Sequence, residues 1–252
     1  MFELAQKTVL VTGGSRGIGA ATVRAVAALG GRVLLHFGAN RALAEAIQHD
    51  IGAEKCVLIQ SDLGELDGAE RLWREAAAAA GRIDVLINNA AIFEAADIAM
   101  PLPEWRAVWN RVLQINLLAP AELCRFAIEH FRQFGGGKII NIASRAAHRG
   151  EAPDQWPYGA SKGALVTLTK TIARGYAKEN ILAFAICPGF TETEMVTSAL
   201  SPAELAKVVG DIPIGGMARP GECGALAAFL CCDQVRHMTG ATFDINGASY
   251  VR

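Results

Sequence analysis

The chain has 252 residues, of which 52% are apolar and 19% are charged, and its formal net charge is −1. Such a composition is sufficient for a large buried core. The near-zero charge gives no electrostatic reason to expect nucleic acid or an anionic membrane as a partner.

Targeting and metal signals are weak. Met1 is followed by FELAQK, which lacks the apolar core of a signal peptide, and no apolar run approaches the roughly 18 residues that cross a bilayer. The cysteines lack paired metal-ligand spacing, so we predict no metal site and expect a reducing compartment. We therefore expect a soluble, cytoplasmic protein. The cysteines are Cys56, Cys124, Cys187, Cys223, Cys231 and Cys232.

Short apolar runs alternate with longer helical patterns along the chain. The runs are continuously apolar rather than alternating, which is typical of parallel strands that are covered on both faces. We predict strands at 7–12, 32–37, 55–60, 83–88, 138–143, 181–187 and 241–246. We predict helices at roughly 17–30, 40–50, 65–80, 103–133, 158–178 and 220–232.

This order of elements predicts an α/β protein with a doubly wound Rossmann fold: about seven parallel strands with helices on both faces. The chain has no internal repeat and no Pro/Gly/Ser-rich linker, so we expect residues 1–252 to form one domain. The segment 190–213 is the least regular, and we interpret it as a lid or substrate loop.

A glycine-rich turn, VTGGSRGIG, joins the first predicted strand to the first helix. Gly13, Gly17 and Gly19 would allow a tight turn and a close approach of the backbone to a pyrophosphate at the helix N-terminus. Such a pattern alone is weak, but its position between strand and helix favours a nucleotide site. We predict that Ser15 and Ile18 take part in it.

The second predicted strand bears on which dinucleotide binds. Sites for NAD usually carry an acidic residue about 20 residues after the glycine turn. Phe37 occupies that position here, and no carboxylate follows until Glu45. Arg16 and Arg41 could instead hold a 2′-phosphate, unless both are only solvated arginines at helix ends. The pattern favours NADP(H) and leaves NAD(H) open.

The stretch WPYGASK (156–162) places Tyr158 and Lys162 one helical turn apart. The two side chains could simply pack. Alternatively, the Lys162 cation lowers the pKa of the phenol, typically by about 1–3 units. Ser144, at the end of the fifth predicted strand, could donate to the same carbonyl oxygen. This set suits protonation of a carbonyl that accepts a hydride from nicotinamide.

Eight motifs in order resemble the short-chain dehydrogenase/reductase family over nearly the whole chain. They are TGGSRGIG (12–19), SDL (61–63), NNAA (88–91), QINLL around Asn116, IINIAS (139–144), YGASK (158–162), PGFTET (188–193) and TGATFDINGA (239–248). The glycine turn and the C-terminal DINGASY look most like the 3-oxoacyl-acyl-carrier-protein reductase-like branch, in which homotetramers are usual. A dimer stays an alternative.

The resemblance implies roles for further residues. It assigns Asn116, Ser144, Tyr158 and Lys162 to catalysis, with Asn116 holding a water that links Lys162 to solvent. It assigns contacts with the cofactor to Asp62, Leu63, Asn89, Ala90, Ala91, Pro188, Gly189, Thr191 and Thr193, beside Tyr158 and Lys162. Structural alternatives stay open, since an aspartate can cap a helix and an asparagine can bind a neighbouring backbone.

Departures from the family pattern concern the substrate. Ala91 stands where glycine is usual, Leu182 and Phe184 replace an arginine and an asparagine, and the loop RAAHRGEAPDQWP (145–157) is one residue longer than usual. We expect the cleft to be lined by parts of 93–100, 145–157 and 190–213, which are partly apolar. The sequence thus predicts an NADP(H)-dependent carbonyl reductase that acts on a small molecule, such as a 3-oxoacyl thioester. An NAD-dependent alcohol dehydrogenase and a non-catalytic sensor are the alternatives.

Overall fold

The fold is known from a computed structural model, which describes residues 2–197 and 201–252. Its centre is a seven-stranded sheet of order β3-β2-β1-β4-β5-β6-β7, in which every neighbouring pair is parallel. The strands are β1 (Thr8–Val11), β2 (Arg32–Phe37), β3 (Cys56–Gln60), β4 (Val85–Asn88), β5 (Gly137–Ile142), β6 (Ile181–Pro188) and β7 (Thr242–Ile245). The strand order reverses between β1 and β4, which is where ligands bind in open α/β sheets.

The helices lie close to their predicted positions. They are α1 (Gly17–Ala28), α2 (Arg41–Ile51), α3 (Gly68–Ala80), α4 (Leu102–Leu113), α5 (Ala119–Gln133), α6 (Ala146–Arg149), α7 (Trp156–Tyr176), α8 (Glu194–Thr197), α9 (Pro202–Gly210) and α10 (Pro220–Cys231). The predicted helix at 103–133 is two helices, because a π-helical turn at Gln114–Leu118 separates α4 from α5. Two short 3₁₀ turns, Ala177–Glu179 and Asp233–Met238, follow α7 and α10.

Both faces of the sheet are buried, as the continuous apolar runs predict. On β1, Val9 and Val11 pack in a core that includes residues of α1 and α10. Leu10, between them, packs in a second core with residues of α3, α5 and α7. Successive side chains of a strand point to opposite faces, so β1 contributes to both cores. The doubly wound α/β fold is confirmed.

The two unusual residues of β6 are part of this packing. Leu182 and Phe184 are 5% and 0% exposed and belong to the core shared with α1 and α10. Buried apolar side chains therefore stand at the two positions where the family usually has an arginine and an asparagine.

The segment 190–213 is more regular than predicted, since it contains α8 and α9. Neither helix has a buried residue in its described part. Positions 198–200 of this segment lie outside the described residues. In residues 2–197 and 201–252, no helix is long and apolar enough to cross a membrane.

Candidate active site

A cleft of about 410 Å³ opens at the carboxyl ends of the strands. It contains most of the residues that the sequence indicates. The predicted residues that line it are Gly13, Ser15, Arg16, Gly17, Ile18, Asp62, Leu63, Asn89, Ala90, Ala91, Ser144, Tyr158, Lys162, Pro188, Gly189, Thr191 and Thr193. Four others, Gly19, Phe37, Arg41 and Asn116, lie outside this lining.

The glycine turn forms one wall of the cleft. Gly13 and Gly17 have positive φ angles of 62° and 53°, which L side chains rarely adopt. A Cβ on Gly19 would lie 2.1 Å from the Gly13 carbonyl oxygen, so only glycine allows α1 to begin this close to β1. The turn therefore presents bare backbone at the N-terminus of α1, which fits a dinucleotide pyrophosphate.

Asn89 holds this turn in place. Its amide nitrogen donates to the carbonyl oxygens of Thr12 and Gly13, at 2.9 and 3.1 Å. The Thr12 hydroxyl in turn accepts hydrogen bonds from the backbone N–H groups of Asn89 and Ala90. The Asn89 side chain therefore binds a neighbouring backbone, which is the structural alternative given above. It shapes the cleft by holding the glycine turn.

His36 is a lining residue that the sequence interpretation missed. Its Nδ1 accepts from the Gly13 N–H at 3.1 Å, so Nε2 carries the proton and donates to the Ser61 carbonyl oxygen at 2.9 Å. Burial lowers the pKa of His36 to about 4, although its bond to Ser61 opposes this shift. A neutral imidazole therefore connects the glycine turn to the end of β3. The only sequence signal was a polar residue inside the apolar run RVLLHF.

The Phe37 side chain does not line the cleft: it is 1% exposed and packs in the core with α1 and α10. Strand alternation explains this, because adjacent His36 faces the cleft. Instead, Gly38, Ala39 and Asn40 follow β2 along the cleft wall. None of these side chains is acidic.

Arg41 also lies outside the cleft lining. Its guanidinium lies 5.4 Å from the Phe37 ring centre, 3.3 Å from Gln60 Oε1 and 3.7 Å from Glu45 Oε1. These local partners hold the exposed side chain beside α2, outside the cleft lining.

Arg16, in contrast, lies on the rim of the cleft, opposite the segment after β6. It forms an exposed ion pair with Glu194, at 3.4 Å between Nη1 and Oε2. Close to it, Thr193 packs over the glycine turn, since a Cβ on Gly17 would lie 3.2 Å from Thr193 Cγ2. The start of α8 therefore lies across the part of the cleft that the glycine turn forms.

Ser144, Tyr158 and Lys162 converge at the other end of the cleft. Lys162 is 2% exposed, and its Nζ donates to the Ile142 carbonyl oxygen at 2.8 Å. The same Nζ lies 5.7 Å from the centre of the Tyr158 ring. Phe93 covers the ring in an edge-on contact with centroids 4.9 Å apart. The structure thus gathers a hydroxyl, a phenol and an ammonium in one place.

The electrostatics of Tyr158 differ from the expectation. Burial raises the pKa of Tyr158 to about 12, although a hydrogen bond with Ser144 lowers it. Burial also lowers the pKa of Lys162 to about 8. The predicted fall in the pKa of Tyr158 is therefore wrong for this structure, because the cost of burying a phenolate exceeds the favourable contributions.

Asn116 lies in the π-helical turn and is fully buried. Its Oδ1 accepts from the Ile92 N–H, and its Nδ2 donates to the Ile92 carbonyl oxygen, both at 2.9 Å. Nδ2 also donates to the Ser161 hydroxyl at 3.3 Å. The side chain therefore ties the chain after β4 to helix α7, three residues after Tyr158. Its predicted water-holding role stays a prediction.

Two further cofactor candidates stabilise local turns. Asp62 Oδ1 accepts from the Gly64 N–H at 2.8 Å, rather than capping α3. The Thr191 hydroxyl donates to the Gly189 carbonyl oxygen at 3.2 Å. Both residues also line the cleft, so these local roles coexist with exposure to a ligand.

Of the substrate-cleft candidates, Met195 lines the cleft and Trp156 is exposed at the start of α7. His148 instead contacts Cys187, at 3.5 Å between Nε2 and Sγ.

Arg145, directly after Ser144, is buried and donates to the Ser249 hydroxyl. Its guanidinium lies 4.6 Å from the centre of the Phe190 ring. Arg145 and Phe190 therefore connect the segment after β5 with the segment after β6.

Comparisons with known proteins agree with this arrangement. A family model described as enoyl-(acyl carrier protein) reductase matches residues 13–248. An acetoacetyl-CoA reductase of Rhizobium meliloti is 33% identical over 97% of this chain and 98% of its own length. A cis-4-hydroxycyclohexanecarboxylate dehydrogenase of Sinomonas cyclohexanicum is 34% identical over 96% of both chains. The crystal structure of a dehydrogenase/reductase from Sinorhizobium meliloti is 33% identical, with a TM-score of 0.90 over 99% of this chain and 97% of that chain.

Proposed function

Because the chain belongs to the short-chain dehydrogenase/reductase family and is an NAD(P)-dependent oxidoreductase, we propose that it reduces the ketone of a 3-oxoacyl thioester with NADPH. The observation that carries this proposal is the convergence of Ser144, Tyr158 and Lys162 at one end of the cleft. A protein that only sensed the nucleotide would have no need of all three.

The residues present fit a dinucleotide. The bare backbone at Gly13 and Gly17 would hold the pyrophosphate, and Asp62 and Leu63 would contact the adenine side. Thr191 and Thr193 would position the nicotinamide end. When bound, the cofactor supplies or accepts a hydride. The remaining task of the protein is to orient the carbonyl and to deliver one proton.

Tyr158 is the proposed proton donor. A pKa of about 12 keeps the phenol protonated at neutral pH. The alkoxide that forms on a reduced ketone is a stronger base than a phenolate, so it can take this proton. Ser144 would donate a hydrogen bond to the same oxygen, and Lys162 would stabilise the phenolate left behind. The alcohol then carries both the hydride and the proton.

Oxidation of an alcohol would use the same residues in reverse, with the Tyr158 phenolate as the base. The dehydrogenase from Sinomonas cyclohexanicum makes oxidation of a secondary alcohol the second candidate. In that case activity should rise steeply with pH.

The preference for NADPH rests on the wall after β2. Gly38, Ala39 and Asn40 provide no carboxylate to repel a 2′-phosphate, and Arg16 lies on the adjacent rim. The phosphate would compete with Glu194 for this guanidinium. We therefore expect NADPH to bind at least about tenfold more tightly than NADH, which corresponds to about 1.4 kcal/mol.

The thioester assignment rests on the relative named acetoacetyl-CoA reductase and on the partly apolar cleft. A homotetramer, which the family resemblance implies, and a cytoplasmic location, which the sequence predicts, are part of the proposal. Sedimentation velocity would test the tetramer, and a monomer or a dimer would contradict it.

A substrate panel tests the function. NADPH oxidation is followed with 3-oxoacyl thioesters, enoyl thioesters, simple ketones and quinones, and alcohol oxidation is followed with both oxidised cofactors. We expect the fastest turnover with a 3-oxoacyl thioester. Faster reduction of an enoyl thioester would overturn the ketone assignment, and cofactor binding without any turnover would favour a sensor.

A further inference from the structure

Three side chains from separate elements meet just below the candidate active site. They are His148 of α6, Cys187 of β6 and Asp244 of β7. Cys187 and Asp244 are direct partners in the parallel pairing of β6 with β7. Candidate ligand atoms of all three residues lie within 4.8 Å of one another. These residues form the His-Cys-Asp cluster.

The separation of the sulfur and nitrogen ligands in the cluster matches that of a tetrahedral zinc ion. Zinc bonds of about 2.3 Å to sulfur and 2.0–2.1 Å to nitrogen place these two atoms about 3.5–3.6 Å apart in a tetrahedral site. In the structure, Cys187 Sγ and His148 Nε2 are 3.5 Å apart. Imidazole, thiolate and carboxylate are also the three ligand types that zinc uses in proteins.

We propose that His148, Cys187 and Asp244 bind one Zn²⁺ ion, with a fourth position open to solvent. No such site follows from sequence spacing, because the ligands are 39 residues or more apart along the chain. The site is distinct from the cleft, whose lining includes none of the three.

An ion can reach the cluster from solvent through Asp244, which is exposed, whereas Cys187 closes the inner side and is buried. Arg252 holds Asp244 Oδ2 at 2.9 Å, and the other carboxylate oxygen leaves a place for a metal bond. This ion pair also competes with a cation. The Tyr250 ring stacks parallel to the His148 imidazole and limits its orientation. Such outer contacts orient metal ligands in known sites.

Binding must displace the Cys187 proton, because the thiolate is the metal ligand. The S–H bond breaks, the sulfur bonds the ion, and the proton passes to solvent. A free thiol has an ordinary pKa of about 8.5, so it is mostly protonated at neutral pH. A bound dication reverses this balance. Each ion that binds should therefore release about one proton.

Cobalt(II) provides a direct test, since a cobalt-thiolate bond absorbs in the near ultraviolet. The metal-free protein is titrated with Co²⁺ and then with Zn²⁺, and proton release is followed in weak buffer. We expect a charge-transfer band that saturates at one Co²⁺ per chain and disappears when Zn²⁺ displaces it. The band should be lost in Cys187→Ser, and binding should weaken at least about tenfold in His148→Gln and Asp244→Asn.

Cys231→Ser and His49→Ala are matched controls. Cys231 is buried and donates to the Ala227 carbonyl oxygen, as a serine could, and His49 is an exposed histidine of α2. Both variants should keep the band. If Cys187→Ser does not fold, the Co²⁺ affinities of His148→Gln and Asp244→Asn still test the proposal. The proposal is overturned if the band is absent, if it survives all three ligand substitutions, or if the metal causes no proton release, as a simple Cys-His hydrogen bond would predict.

Discussion

The two ends of the cleft are built differently. At the Tyr158 end, Asn116, Ser144 and Lys162 are 0%, 8% and 2% exposed, and each is fixed by hydrogen bonds to the backbone or to a neighbouring hydroxyl. At the ribose end, the side chains of Arg16 and Arg41 are 63% and 58% exposed, and each pairs with an exposed carboxylate side chain.

This difference separates the chemistry from the choice of cofactor. A satisfied buried hydrogen bond contributes about 0.5–1.5 kcal/mol, and an unpaired buried polar group costs about 1–3 kcal/mol, so these groups hold one geometry. Exposed ion pairs are worth about 0–1 kcal/mol and rearrange easily. Substitutions at the Tyr158 end should therefore have large effects on turnover, and substitutions at the ribose end should have small effects on affinity.

The largest expected effect is at Tyr158. Tyr158→Phe removes the proposed proton donor but keeps the ring that packs against Phe93. Proton donation is worth about 10²- to 10⁴-fold, so kcat should fall by this factor. NADPH affinity, measured by fluorescence titration, should change little. A variant with near-normal kcat would show that another group supplies the proton.

Beside the glycine turn, His36 should make stability depend on pH. Its pKa is about 4 in the folded chain, against 6.5 for a histidine side chain in water, so between these values the unfolded chain binds more protons. Stability is therefore lost as the pH falls from 6.5 to 4. Over this pH range the free energy of unfolding should fall by on the order of 3 kcal/mol more in the wild type than in His36→Gln. Glutamine can accept and donate hydrogen bonds, but it does not titrate in this pH range.

Urea unfolding at several pH values measures this difference. His49→Gln is the control, because His49 is exposed, and it should follow the wild-type curve. If His36→Gln loses as much stability with falling pH as the wild type, the buried neutral imidazole is not the cause.

A smaller effect is expected at Arg16. Arg16→Ser removes the guanidinium proposed for the 2′-phosphate and should weaken NADPH binding about tenfold, near the lower limit for a charged hydrogen bond, because the site is exposed. NADH binding should be unchanged, and the difference should shrink at high salt. Equal losses for both cofactors would indicate damage to the glycine turn instead.

The smallest effect is expected at Arg41. Arg41→Ala should change NADPH affinity less than about twofold, because its guanidinium is held beside Gln60 and Glu45 and exposed pairs contribute little. A loss as large as that of Arg16→Ser would restore the prediction made from the sequence and would show that Arg41 moves into the cleft.

These residues also show how far the sequence predicts the structure. The strands and the joint position of Ser144, Tyr158 and Lys162 were predictable, because apolar runs, strand ends and helical spacing set them. His36 and Phe37 were interchanged in the interpretation, since a motif position does not tell which face of a strand a side chain occupies. The pKa of Tyr158 depends on burial by distant parts of the chain, such as Phe93, which no local pattern shows.

The central claim, that the Tyr158 end of the cleft reduces a ketone with hydride from NADPH, is tested most directly by isotope transfer. The enzyme is incubated with a 3-oxoacyl thioester and NADPH in which both hydrogens at the nicotinamide C4 are deuterium, and the product is analysed by mass spectrometry and NMR. We predict one deuterium at the new carbinol carbon, formed about 10²- to 10⁴-fold more slowly by Tyr158→Phe. A product without deuterium at the carbinol carbon, or equal rates for both proteins, would contradict this claim.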